Sequence, residues 1–221
     1  MTTARPVLPL PIVMLVTDRT ACGERRLEDV VEAAVEGGVN VVQLREKDLS
    51  AGDLYGLSLR LRQIVGTQAL LLVNDRVDVA LAAGAHGVEL GGTSLPTEVA
   101  RKLAPDLVIG RSVHDVAHAA QAIQDGADLL VVGTMFASRS HPGQAPAGPS
   151  LMRKVAAICT APLIGIGGIT PANATQVIAA GASGVAAIST ITMAPDPRDA
   201  AKRLVAAVQD AWPTAPLHKR H

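Results

Sequence analysis

The segment that decides the fold is Gly37-Gly38-Val39-Asn40-Val41-Val42-Gln43-Leu44-Arg45-Glu46-Lys47. A glycine pair is a common end for a helix, and the apolar run that follows is typical of a buried strand. Side chains alternate faces along a strand, so Gln43, Arg45 and Lys47 point the same way at its carboxyl end. An amide, a guanidinium and an ammonium that converge there predict a phosphate or diphosphate site. The alternative is a half-solvated strand with a polar outer face.

The same change from helix to strand recurs along the chain. Gly84-Ala85, Gly126-Ala127 and Gly181-Ala182 each end a helical segment shortly before an apolar run. The predicted strands are residues 12–16, 39–44, 69–73, 87–90, 107–109, 129–132, 163–166 and 184–187. The predicted helices are residues 27–36, 51–65, 77–83, 96–103, 116–123, 151–158, 171–179 and 197–211. This alternation predicts a (β/α)8 TIM barrel.

A doubly wound open sheet is the alternative fold. Such a sheet usually carries a glycine-rich fingerprint after its first strand, and Thr17-Asp18-Arg19-Thr20 is not one. The length of 221 residues favours one domain, which we expect to span residues 1–211. Residues 212–221, with two prolines and a basic end, are expected to form a disordered tail.

Composition excludes several classes of function. The 20 basic and 20 acidic residues cancel, and aromatic residues make up 1% of the chain, which argues against a nucleic-acid surface. No apolar run reaches the roughly 18 residues of a membrane span, and no secretory leader is recognisable. Cys22 and Cys159 have no metal-binding spacing, so we expect reduced thiols in a cytoplasmic protein.

In a barrel of this kind the chemistry sits at the carboxyl ends of the strands. Asn74-Asp75 follows the third strand, and the Asp75 carboxylate is a ligand type that Mg2+ prefers, although it could instead cap the next helix. Gly167-Gly168 and Ile188-Ser189 follow strands seven and eight, a recurrent phosphate site in this fold. Two glycines that only permit a tight turn are the alternative there.

The segment after strand six, residues 133–148, is long and rich in hydroxyl groups. Ser138 and Ser140 could donate hydrogen bonds to phosphate oxygens, and such loops are often lids. A surface insertion is the alternative. His114 could be an acid or base, but local hydrogen bonding is the favoured role because no carboxylate partner is evident.

Taken together, these segments resemble the thiamine-phosphate synthase family over residues 12–204. The resemblance is carried by seven motifs whose order and spacing are jointly specific. They are Leu15-Val16-Thr17-Asp18, Val42-Gln43-Leu44-Arg45-Glu46-Lys47, Val73-Asn74-Asp75-Arg76-Val77-Asp78, Ile109-Gly110-Arg111-Ser112-Val113-His114, Ala127-Asp128, Ile166-Gly167-Gly168-Ile169 and Gly181-Ala182.

Family members join a hydroxymethylpyrimidine diphosphate to a hydroxyethylthiazole phosphate, with Mg2+, and release pyrophosphate. The resemblance implies that the pyrimidine diphosphate is held by Gln43, Arg45, Lys47, Asn74 and Ser112. Of these, Arg45, Lys47 and Ser112 are implied to assist catalysis. The resemblance also implies that Asp75 binds Mg2+ and that Gly168, Ile188 and Ser189 hold the thiazole phosphate. Self-association is a further implication of the resemblance.

Two positions depart from the family pattern. Ser94 stands where the family has a second metal-binding aspartate, and a neutral hydroxyl is a weak substitute for a carboxylate. In the loop after strand six, His141 stands in place of a lysine that binds diphosphate, and Arg139 could replace its charge.

A related branch of thiazole tautomerases fits some of the same motifs. It can carry the string Gly110-Arg111-Ser112-Val113-His114, but its catalytic histidine falls where this chain has Thr134. A non-catalytic protein that binds thiazole phosphate or thiamine phosphate is a third hypothesis. The intact Asn74-Asp75 pair favours the synthase.

Overall fold

Eight parallel strands close into a barrel in chain order in a computed structural model, which describes residues 5–138 and 145–212. The strands are β1 Ile12–Val16, β2 Val41–Leu44, β3 Leu70–Asn74, β4 Gly87–Leu90, β5 Val108–Val113, β6 Leu129–Gly133, β7 Leu163–Ile166 and β8 Gly184–Ala187. β1 pairs with β8 as well as with β2, so the sheet has no free edge. The predicted single-domain TIM barrel is therefore confirmed, and the open-sheet alternative is wrong.

Helices follow the strands and cover the outside of the barrel. They are α1 Leu27–Glu36, α2 Ala51–Val65, α3 Val77–Ala82, α4 Thr97–Leu103, α5 Val116–Gln124, α6 Gly148–Ala156, α7 Ala174–Ala179, α8 Ser189–Thr192 and α9 Pro197–Ala211. The four-residue helix α8 was not predicted, because four residues are too few to show a helical period. Within the described residues, no helix has the length and apolar character needed to cross a membrane.

The largest error in the predicted strands concerns β5. The sequence predicts a strand that ends at residue 109, whereas β5 continues through Val113. Gly110 and Ser112 resemble loop residues, yet they pair in register with Leu129 and Val131 of β6. The extension matters because it fixes Ser112 on a strand whose alternate residues point inward.

The interior of the barrel is filled by aliphatic side chains from alternate strand positions. The inward cluster consists of Ile12, Met14, Val16, Val41, Leu72, Val108, Leu129, Val131, Ile164 and Ala186. Most of these residues fill the barrel below the cavity, and Val16, Val131 and Ala186 form part of the cavity wall beside the polar residues at the carboxyl ends. The predicted tail begins at Trp212, the last described residue, and residues 213–221 lie outside the described part.

Close approach of β1 and β8 gives a stability prediction. A Cβ atom added at Gly184 would lie 2.1 Å from the Ile12 carbonyl oxygen, which is backbone and cannot rotate away. Gly184→Ala should therefore lower the free energy of unfolding by about 1–3 kcal/mol, as overpacked cores do. Urea denaturation measures the change.

Gly56→Ala is the matched control, because its added methyl group meets only Arg60 Nη1 at 3.6 Å within α2. It should stabilise the protein by about 0.5–1 kcal/mol through the higher helix propensity of alanine. Equal effects of the two substitutions would contradict the packing argument.

Candidate active site

The carboxyl ends of the strands surround a cavity of about 240 Å³. Nine of the predicted site residues border it, namely Gln43, Arg45, Lys47, Asn74, Ser112, Ser138, Gly168, Ile188 and Ser189. Asp75 and Ser94 lie beside it, behind Gly91. Ser140, Arg139 and His141 lie outside the described residues. Segments far apart in sequence thus meet at one mouth, as the topology requires.

Arg45 and Lys47 supply the positive charge of this mouth. Within the described residues, neither side chain forms a hydrogen bond or an ion pair. Arg45 is half-buried and Lys47 is exposed. A half-buried guanidinium without a protein partner is suited to bind an anion from the cavity.

Glu46 explains how these two cations are oriented, and its role was missed by sequence reasoning. Its buried carboxylate accepts hydrogen bonds from the Thr17 hydroxyl at 2.6 Å and the Arg19 amide at 3.2 Å. The Thr17 oxygen in turn accepts from the Arg45 amide at 2.9 Å. This network ties the ends of β1 and β2 together with Glu46 turned away from the mouth, so its neighbours face the cavity. The alternation of charge along residues 45–47 was the available signal.

Asp75 is the most constrained residue of the site. Its φ of 62° places a side chain other than glycine in the left-handed region, which costs conformational energy. Oδ1 accepts hydrogen bonds from the Gly91 amide at 2.9 Å and from the Ser94 hydroxyl, and Oδ2 accepts from Asn74 at 2.7 Å. The N-cap residue of α3 is Arg76, so the Asp75 carboxylate does not cap this helix. The alternative role of helix cap is therefore wrong.

Asn74 links Asp75 to the floor of the cavity. Gln43 Nε2 donates to Asn74 Oδ1 at 2.9 Å, and Asn74 Nδ2 donates onward to Asp75. Both amides are at least nine-tenths buried, so their orientation is fixed by these bonds. The chain of donors ends on Asp75 and leaves Gln43 Oε1 as an acceptor at the cavity wall.

The glycines after β7 are required by packing against the segment after β6. Gly167 and Gly168 have φ of 103° and 61°. A Cβ at Gly167 would lie 2.3 Å from Thr134 Cγ2, and one at Gly168 would lie 2.4 Å from the Ala137 carbonyl oxygen. The glycines thus permit a tight turn, as one hypothesis held. Gly168 also borders the cavity, as the other hypothesis, a phosphate site, requires.

Two groups near this turn could donate hydrogen bonds to a ligand. The Ser138 hydroxyl oxygen is buried and has no hydrogen-bond partner within the described residues. The unpredicted helix α8 begins at Ser189, and the first amides of a helix lack partners inside it. Ile188, Ser189 and Thr190 all border the cavity. These donors are suited to a phosphate group.

His114 borders the cavity and makes a hydrogen bond to the neighbouring strand β6, rather than a local one. Its Nδ1 lies 2.9 Å from the Gly133 carbonyl oxygen, which can only accept, so Nδ1 carries the hydrogen. Thr134, where the resemblance to tautomerases implies a catalytic histidine, borders the cavity as a neutral hydroxyl.

Glu89 is an interior acid that sequence reasoning missed. It is 1% exposed, and its Oε1 accepts a hydrogen bond from Ser112 at 3.0 Å. Burial raises the pKa of the Glu89 carboxyl to about 8, against weaker lowering by Ser112 and Arg111. The signal was a glutamate at an inward position of a strand that is otherwise apolar.

Comparison with known proteins places the chain among thiamine-phosphate synthases. The family model described as thiamine monophosphate synthase matches residues 13–191. The thiamine-phosphate synthase of Roseiflexus sp. (strain RS-1) is 43% identical over 211 residues, which cover 92% of this chain and 89% of that protein. That of Natronomonas pharaonis is 44% identical over 206 residues, covering 91% and 96%.

A solved structure agrees with these sequence relatives. The thiamine phosphate pyrophosphorylase from Pyrococcus furiosus superposes with a TM-score of 0.84 at 36% identity, covering 90% of this chain and 96% of that one. The names of these relatives do not favour the tautomerase alternative.

The raised pKa of Glu89 predicts how stability changes with pH. Between the ordinary value of 4.5 and about 8 the folded state keeps a proton that the unfolded state has released. Stability should therefore fall as pH rises through this window, by up to roughly 1.4 kcal/mol per pH unit from this group. Glutamine does not titrate, so Glu89→Gln removes the effect. The free energy of unfolding of Glu89→Gln minus that of wild type should therefore increase from pH 5 to pH 8 in urea denaturation.

Glu98→Gln serves as the control because Glu98 is exposed on α4. Its stability difference from wild type should stay nearly constant over the same range. A constant difference for Glu89→Gln as well would contradict the raised pKa.

Proposed function

The chain belongs to the thiamine monophosphate synthase family, and on that premise we propose that thiamine phosphate is made in the barrel mouth. The substrates would be a hydroxymethylpyrimidine diphosphate and a hydroxyethylthiazole phosphate, and the second product pyrophosphate. The observation that carries the proposal is the pair Arg45 and Lys47, which border the cavity without a protein partner in the described residues.

The diphosphate is the group that these cations suit. Negative charge grows on it as its bond to the pyrimidine methylene carbon breaks, so fixed cations beside it stabilise the transition state. Ser112 and Asn74 border the same cavity and complete the proposed diphosphate site. The cation left on the pyrimidine is then captured by the thiazole nitrogen, which requires two substrates held in contact.

Mg2+ is the proposed cofactor, and the residues present fit it at a single carboxylate. Asp75 Oδ2 has one hydrogen-bond donor where Oδ1 has two, so Oδ2 keeps more capacity to bind a cation. Within the described residues no group of three acidic, histidine or cysteine side chains could hold a metal, so phosphate oxygens and water would complete the ligand set. Bound Mg2+ would neutralise charge on the leaving diphosphate.

The thiazole phosphate is proposed to bind at the carboxyl ends of β7 and β8, away from Asp75 at the end of β3. Gly168, Ile188 and Ser189 border the cavity there, beside the first turn of α8. Ser138 offers a buried hydroxyl without a protein partner in the part of the chain that the structure describes. A role for Ser140 stays a prediction from the sequence, since it lies outside the described residues.

Three further properties are proposed with the function. Both cysteines are buried thiols, which suits action in the cytoplasm. Self-association is proposed from the family resemblance alone. The balance of 20 basic and 20 acidic residues supports small phosphorylated molecules, rather than nucleic acid, as partners.

The direct test is pyrophosphate release by the purified protein. Release should require both substrates and Mg2+, with thiamine phosphate formed and a chelator abolishing it. Asp75→Ala should lower kcat/KM by at least about 100-fold, because it removes the carboxylate that holds the metal. Asp78→Ala is the control, since Asp78 is exposed and pairs with Arg76. Full activity of Asp75→Ala would rule out the metal assignment.

Ser94 provides a second test of the metal site. Ser94→Asp adds a carboxylate next to Asp75, so the Mg2+ concentration for half-maximal rate should fall by about tenfold. Thr93→Asp adds the same charge at the exposed neighbouring position and should leave that concentration unchanged. Similar values for wild type and Ser94→Asp would mean that position 94 is not part of the metal site.

A further inference from the structure

The turn after β7 is held in place through its backbone carbonyl groups. The Gly167 carbonyl oxygen accepts a hydrogen bond from the Phe136 amide at 2.9 Å. The next carbonyl oxygen, that of Gly168, accepts one from Asn173 Nδ2, also at 2.9 Å. Two successive peptide units of the turn therefore have their carbonyl ends fixed by groups of the protein.

The amide ends of the same two peptide units face the other way. A trans peptide unit is planar, so its N–H and its C=O point in opposite directions. The two amides are those of Gly168 and Ile169, and both residues border the cavity. Neither amide has a hydrogen-bond acceptor among residues 5–138 and 145–212. Since Ile169 is 2% exposed and buried amides are seldom left without an acceptor, this pair is suited to bind an anion from the cavity.

Asn173 fixes the second of these amides. Its Nδ2 donates to the Gly168 carbonyl oxygen, and its Oδ1 accepts from the Thr170 amide at 2.8 Å. Gly168 has a φ of 61° and no side chain, so without such a contact its peptide unit could rotate at little cost. With both ends of the Asn173 amide bonded to the turn, rotation of this peptide unit would break a hydrogen bond. Asn173 itself does not border the cavity.

We propose that Asn173 is a positioning residue, which holds the peptide unit between Gly168 and Ile169 so that the Ile169 amide donates to the phosphate of the thiazole substrate. The inference rests on the proposed function, which places that phosphate beside Gly168. An N–H group can only donate, so its direction alone decides whether it meets the anion. Asn173 acts from outside the cavity and does not touch the substrate.

The test compares Asn173→Asp with Asn173→Ala in steady-state kinetics. Aspartate keeps an oxygen for the Thr170 amide but offers no donor to the Gly168 carbonyl, and alanine loses both contacts. In both variants KM for the thiazole phosphate should rise about tenfold, the effect of one lost hydrogen bond. KM for the pyrimidine diphosphate should stay within about twofold of wild type, because its proposed site lies on other strands.

The two variants separate positioning from simpler explanations. If Asn173 only stabilised the turn before α7, Asn173→Asp would match wild type, because its oxygen still accepts from the Thr170 amide. If the new charge only repelled phosphate, Asn173→Ala would match wild type. Either result overturns the proposal. Thr175→Asp is the control, since it adds the same charge at an exposed position of α7 and should leave both KM values unchanged.

A measurement on wild type covers the case in which a variant does not fold. In heteronuclear NMR the Ile169 amide proton should shift downfield as the thiazole phosphate is added, and an unchanged signal at saturation would overturn the proposal. If wild type shows no turnover, the proposed function fails separately, and the same titration with inorganic phosphate tests the turn. A shift of Ile169 that Asn173→Asp abolishes would then support the positioning role, and no shift in wild type would overturn it.

Discussion

Closure of eight strands into a barrel is the constraint on which the rest of this structure depends. Because β1 pairs with β8, every strand sends alternate side chains into one shared interior. That interior must be packed, and aliphatic residues fill it near the amino ends of the strands. The polar residues that border the cavity lie at the carboxyl ends, where the opening to solvent allows them to meet a ligand.

The charged side chains of the mouth lie at these carboxyl ends. Asp75 is surrounded by donors from Asn74, Gly91 and Ser94, while Arg45 and Lys47 have no protein partner in the described residues. The two cations are therefore suited to bind a polyanion, and the Asp75 carboxylate is held in a fixed position by its three donors. The site therefore offers fixed positions and fixed charges. Such an arrangement suits a reaction that consists of diphosphate departure and capture.

Much of this could be predicted from the sequence because its causes are local. Apolar runs and glycine helix ends reveal the eight strands, and the rule for strand ends selects the residues that border the cavity. The errors in the predicted elements also have local causes. β5 was cut short because glycine and serine resemble a loop, and α8 is too short for a period. Roles in catalysis and metal binding stay predictions, as no ligand contact bears on them.

By itself the sequence determined the strands, their order and the polar groups at their carboxyl ends, since alternation and helical period depend on neighbours in the chain. Only the tertiary structure decided the partners of those groups. Ser112 meets Glu89 across 23 residues, and Asp75 meets Ser94 across 19. The physical reason is register: which inward side chains become neighbours depends on how adjacent strands are offset when the barrel closes.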